Sequence, residues 1–257
     1  MKTASTFLAL TAVLALPVLA DEARVANYTT QLRAVRVTEI ARETAKLVAD
    51  KADATDAVTA AVTLNGPSAP LVVGAVAKSS PASAAAAAAA AVKLQPKLAG
   101  VIAKAAVSAA PAELDAIVRA MCQARPTSYA TIGINAAAAA PKSGDKVLPA
   151  TTTALPGLKP LVARSQAEFA AAKRVATLKQ IMQHTEDMVS ALSRSTKESS
   201  ESLLTSPASV VEVKYASLAK AAPVQLPPFV PGGGTPGEIN AGDTAEVSPG
   251  GRIYSGP

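Results

Sequence analysis

Residues 81–155 read PASAAAAAAAAVKLQ, PKLAGVIAKAAVSAA, PAELDAIVRAMCQAR, PTSYATIGINAAAAA and PKSGDKVLPATTTAL, consecutive fifteen-residue segments that each begin with proline. Pro81, Pro96, Pro111, Pro126, Pro141 and Pro156, which opens the following segment, thus keep one spacing. A fixed period of this kind is the signature of a repeat architecture. The bulky apolar residue keeps the same phase, since Val72, Ala87, Ile102, Ile117, Ile132, Val147 and Val162 all stand at the seventh position. Ala69, Ala84, Ala99, Leu114 and Tyr129 fall at the fourth, and Ala75, Ala90, Ala105 and Ala120 at the tenth. Positions four, seven, ten or eleven, and fourteen form one stripe on a helix of 3.6 residues per turn, so each segment predicts one short amphipathic helix.

Proline has no amide hydrogen and a fixed φ, and its ring pushes the preceding residue out of the helical region. One proline therefore closes one helix and opens the next. About eleven helical residues span roughly 16 Å, too short to persist alone in water. Each helix must lean on its neighbours, and the short connections predict antiparallel hairpins, one per 30 residues, stacked into an all-α solenoid. Of the residues before the prolines only Ser80 is a good N-cap. The unit from Pro141 to Leu155 carries Gly144, Pro149 and Thr151-Thr152-Thr153, and is expected to be bent or partly open. Phased Ile and Val argue against Ala/Pro-rich disorder, which has no reason to keep branched residues on one face.

Composition points the same way. The chain has 257 residues but no Trp, three Phe and four Tyr, so its core must be built from small side chains, chiefly Ala. Residues 21–52 predict a charged amphipathic helix between about Thr30 and Asp50, striped by Val37, Ile40, Thr44, Leu47 and Val48, at the first end of an array covering residues 53–170. A long helix is expected from about Leu161 to Thr196, so residues 171–205 form a segment striped by Val175, Leu178, Met182, Thr185, Val189 and Leu192, with Ile181 and Met188 widening the stripe. Its expected role is to cap the array rather than pair with a second chain. Ser199 to Ser202 break that pattern, and Val210 to Leu218 predict one more short helix or strand. Residues 206–257, rich in Pro and Gly from Ala222 onward, predict a mostly disordered tail.

Residues 1–20 have the layout of a cleavable signal peptide: basic Lys2, an apolar run from Phe7 to Leu16, and Val18-Leu19-Ala20 before acidic Asp21-Glu22. Cleavage after Ala20 and a secreted or periplasmic location are the expectation, with no transmembrane segment after cleavage. Cys122, the sole cysteine, can form no internal disulfide and reads as a small buried apolar residue. The net charge of +6 comes from bases scattered along a chain poor in aromatic stacking platforms. This argues against nucleic acid and leaves weak attraction to an anionic envelope surface.

No catalytic, cofactor-binding or metal-ligating residue is assigned, and no cofactor is expected. Gly232, Gly234 and Gly237 match G-x-G-x-x-G but lie in the Pro-rich tail, without the strand and helix that would aim amides at a phosphate. Ser143 with Lys146, and Ser217 with Lys220, match S-x-x-K without its companion motifs. His184 is the only histidine and reads as a solvated helix residue, and Glu186 and Asp187 diverge on the same helix. The first functional reading is an exported, non-enzymatic helical-repeat scaffold or binding module for an unknown protein or polymer partner. The alternative is an envelope- or lipid-associated amphipathic helical protein, weakened by the scarcity of large apolar residues. A hydrolytic enzyme with an unrecognised site stands third.

Overall fold

The computed structural model describes residues 21–221, with side chains to residue 217. Residues 1–20, whose layout predicts a signal peptide, and the Pro/Gly-rich segment from residue 222 lie outside the described residues. Every regular element among those described is helical: α1 (residues 21–33), α2 (Ile40–Ala49), α3 (Ala54–Leu64), α4 (Ala69–Ser79), α5 (Ala84–Leu94), α6 (Ala99–Ala109), α7 (Leu114–Ala124), α8 (Tyr129–Ala139), α9 (Val147–Ala154), α10 (Leu158–Ala171), α11 (Leu178–Thr196), α12 (Ser200–Thr205) and α13 (Ala208–Ala221). The array is an all-α helical-repeat solenoid.

The prolines act through the backbone. The residues preceding the six phased prolines take φ between −125° and −145° with ψ between 65° and 86°, which ends one helix while the residue's own N–H still bonds back, as from Ser80 to the Val76 carbonyl at 2.8 Å. From Pro81 to Pro141, each proline then heads a short 3-10 turn whose third N–H donates to the carbonyl before the proline: Ser83 to Ser80, Leu98 to Gln95, Glu113 to Ala110, Ser128 to Arg125 and Ser143 to Ala140, at 2.9–3.1 Å. No side-chain cap is made at these turns. This is why Gln95, Ala110, Arg125 and Ala140 are tolerated where an N-cap residue looked necessary.

Each helix packs most extensively against the helix two places along the chain: α2 on α4, α4 on α6, α6 on α8, and likewise α3, α5, α7 and α9. Even- and odd-numbered helices thus form two layers, and the expected 30-residue period is the repeat of each layer. The buried face is wider than the predicted stripe. In α7, Leu114, Ile117, Val118, Met121 and Cys122 are buried, which are positions four, seven, eight, eleven and twelve; α6 buries Ala99, Ile102, Ala103, Ala106 and Val107 at the same positions. Position fourteen is exposed at Ser79 and Leu94 and only half-buried at Ala109, Ala124 and Ala139. A helix gripped by its own layer and by the other needs two adjoining stripes, not one.

Three boundaries differ from expectation. The predicted helix from Thr30 to Asp50 is split, because Arg36 is extended and Glu39 N–H closes on the Arg36 carbonyl at 2.8 Å, the array's own turn made without proline. Ile40, Thr44 and Val48 are buried as expected, but Val37 is exposed, and α2 is the first unit of the array rather than a separate cover. The predicted helix from Leu161 to Thr196 is also two helices. Lys173 takes a left-handed φ of 55°, and a capping box between Thr177 and Gln180 restarts the chain as α11, leaving Val175 100% exposed. Finally, Ser199 caps α12 by accepting from Ser202 N–H at 3.1 Å, and α13 carries helical structure to Ala221, so residues 206–221 are not tail.

The unit from Pro141 is irregular as expected: a six-residue 3-10 segment, Pro141–Lys146, leaves only eight residues for α9. α11 closes the end of the even layer by packing on α8, where a Cβ at Gly133 would come within 2.9 Å of Met182 Cε. Gly157 is required by space, because a Cβ there would stand 2.0 Å from the Leu203 carbonyl oxygen of α12, to whose neighbour Leu204 it donates at 3.1 Å.

Neighbouring residues of α6 test the layer assignment. Ile102 is 0% exposed and Val101 55%. Ile102→Ala should cost about 2–4 kcal/mol in urea unfolding and Val101→Ala no more than about 0.5 kcal/mol; equal costs would be incompatible with the described face.

Candidate functional site

Three places bring chemically capable side chains together. The first joins α10 to α11. Ser165 Oγ lies 3.1 Å from His184 Nδ1, His184 Nε2 lies 3.4 Å from Glu168 Oε2, and the Phe169 ring meets the imidazole edge-on at 5.7 Å between centroids. His184 is therefore held and mostly buried, which corrects its reading as a solvated residue. Serine, histidine and carboxylate stand in the order used for nucleophilic catalysis. Yet Ser165 is fully buried between the helices, so no substrate carbonyl reaches its hydroxyl, and the surrounding α10 amides are spent inside the helix rather than aimed at an oxyanion. The trio pins α10 to α11. Sequence reasoning missed it because on one continuous helix Ser165 and His184 would stand roughly 28 Å apart.

The second place is a half-open cavity of about 570 Å³ between α10 and α13, lined by Lys159, Leu161, Arg164, Glu212 and Tyr215. Arg164 closes one wall: its Cζ sits 4.5 Å over the Tyr215 ring centroid and its Nε donates to Glu168 at 3.0 Å.

The third place is the outward surface of the even layer. Position six points to solvent in α4, α6 and α8, making a column of Leu71, 71% exposed, Val101 and Thr131. Small residues pave the ground beside it, for a Cβ at Gly74 would lie 3.8 Å from that of Ala105. The column is repeated because the helices are stacked in register.

The remaining sequence candidates are dispersed. Ser143 lies in the middle and Lys146 at the end of the 3-10 segment Pro141–Lys146, Lys146 exposed. Ser217 Oγ donates to the Val213 carbonyl at 2.9 Å, the side chain of Lys220 is not among those described, and Gly232, Gly234 and Gly237 lie outside the described residues. Glu186 and Asp187 are exposed, and they add to the burial that raises the Tyr129 hydroxyl far above its ordinary value. That hydroxyl is enclosed without a hydrogen-bond partner. Cys122 is buried as expected, and burial pushes its thiol up to about 12 against the opposing Thr151 hydrogen bond. Among the described residues no three His, Cys, Asp or Glu side chains gather to hold a metal ion, and no helix is long and apolar enough to cross a membrane. In comparisons with family models, curated proteins and solved structures, the chain matches none.

Two outcomes follow. Cys122 should react with a thiol reagent near pH 8 only as fast as the array opens, and rapid stoichiometric labelling of the folded protein would refute its burial. Asp56, mostly buried at the foot of α3, is raised first by burial and then by Asp53, against the pull of Arg24, whose Nε stands 3.3 Å from it. A folded carboxyl raised above its unfolded value binds protons more readily when folded, so its charge weakens the fold above that range and the penalty fades as pH falls. Asp56→Asn should be more stable than the parent at neutral pH, with the difference closing on acidification; a gap that widens instead would reverse the sign.

Proposed function

We propose that this protein is an exported, non-enzymatic binding module that presents the stacked surface of its helical array to a macromolecular partner. The observation that carries this reading is the outward column at position six, a feature renewed every 30 residues on α4, α6 and α8. Repeats that stack in register convert one local choice of side chain into an extended surface, which is how solenoids bind. Export is supported by the arrangement of residues 1–20. The non-enzymatic part is supported by the burial of Ser165, which keeps the one serine–histidine–carboxylate trio among the described residues from meeting a substrate.

Photo-crosslinking side chains installed at positions 71, 101 or 131 test the surface directly. Expressed in the producing cells, these variants should give discrete adducts, whereas the same side chain at 175, more exposed still but outside the array, should not. Adducts of equal yield from 175, or none from the array, would reject the reading. N-terminal sequencing of the extracytoplasmic protein should begin at Asp21, and a start at Met1 would reject export and processing.

A further inference from the structure

We propose that the outward face of α4 and α6 is a docking surface for an anionic membrane. The inference rests on the array being a binding module, and it names that module's partner. Between Asp56 and Glu113 the sequence has no acidic residue but carries Lys78, Lys93, Lys97 and Lys104. None of these lysines enters an ion pair among the described residues. The structure divides three of them between the layers and leaves Lys97 in the turn from α5 to α6. Lys78 on α4 and Lys104 on α6 belong to the even layer, whereas Lys93 belongs to α5 in the odd layer.

On α4, Lys78 follows Leu71 by seven residues, and on α6 Lys104 follows Val101 by three, so each lysine shares a helix face with an exposed aliphatic side chain. Gly74, Ala75 and Ala105 lie between them and raise no polar or bulky obstruction. The patch has boundaries. On one side α2 presents Arg42, paired with Glu39 and Glu43, one turn before the exposed Lys46, and on the other α8 presents uncharged Thr131 and Asn135.

An anionic bilayer rewards both parts of this face together: phosphate headgroups take the ammonium groups, and the boundary with the acyl chains takes Leu71 and Val101. A purely hydrophilic polyanion would use the lysines and leave both aliphatic side chains in water. Two aliphatic residues are a small apolar contribution, so association is reversible, peripheral and sensitive to salt. The scarcity of large apolar residues in the sequence weighed against a lipid role. The structure places the two that matter outward on adjacent helices instead of in the core.

The test is flotation of the chain from Asp21 to Pro257, which keeps every described element, with phosphatidylcholine vesicles either containing phosphatidylglycerol or lacking it. The protein should float with the anionic vesicles at low salt and be released at high salt. Lys78→Gln with Lys104→Gln should lower partitioning roughly 25-fold, about five-fold for each lysine. Leu71→Ser with Val101→Ser should lower it while leaving its salt dependence intact, and Lys93→Gln on the opposite layer should change it least. Equal binding to neutral vesicles, an equal loss with Lys93→Gln, or no binding to either vesicle would overturn the proposal. Binding to soluble poly-glutamate or crosslinking to a protein, with no flotation, would overturn the membrane as partner while leaving the binding-module reading intact; no flotation together with no crosslinks from positions 71, 101 and 131 would remove both.

Discussion

The structure depends on a turn that the backbone closes by itself. The N–H of the third residue in each unit reaches back to the carbonyl before the proline, as in Leu98 to Gln95 at 3.0 Å. Proline contributes by subtraction, removing a donor that the start of a helix would leave without a partner. Neither the residue before the proline nor the two after it must supply a side chain, so composition there is free to drift. Arg36 opens the same hydrogen-bonded turn without proline, Asn65 opens it with Pro67 one position late, and Asp53 replaces it with a side-chain cap that accepts from Asp56 N–H at 3.1 Å. The fixed turn sets helix length, helix length sets register, and register creates the two layers.

Small side chains are the second constraint. α5 consists largely of consecutive Ala, and its buried methyl groups belong to a helix packed between α3, which buries Val58 and Val62, and α7, which buries Ile117, Val118 and Met121. A methyl contributes little area, so no single contact dominates and stability is spread over the array, with each unit held by its neighbours. Small residues also keep the solvent face low. Leu71 and Val101 therefore stand out from the even layer instead of being lost among other large groups.

The candidate sites were less legible than the fold, for reasons of distance. Cys122 was legible from its residue type, a small apolar side chain on a helix, although position twelve lies beside the predicted stripe and is covered only because each helix buries two adjoining stripes. His184 could not. Its partners Ser165 and Glu168 are found only once Lys173 turns left-handed and folds α11 back along α10. The signal for that reversal was present in Thr177 and Gln180, spaced as a capping box, but the apolar periodicity ran across it through Val175 and concealed the break. The outward aliphatic column was hidden differently: Leu71 and Val101 are apolar, and a sequence pattern by itself assigns apolar residues to the core.

By itself the sequence determined that the chain is helical, where most of its helices stop, and that they recur every fifteen residues, because proline geometry and helical periodicity are local properties. It also determined position seven as core, since Ile102, Ile117 and Ile132 share one phase. Only the tertiary structure decided that each helix leans on the second neighbour rather than the first, which of the alanines in α5 are covered, and which aliphatic side chains face outward. Those outcomes depend on what lies across the gap between helices, and eight identical methyl-bearing residues from Ala84 to Ala91 carry no information about that until the neighbouring layers are in place.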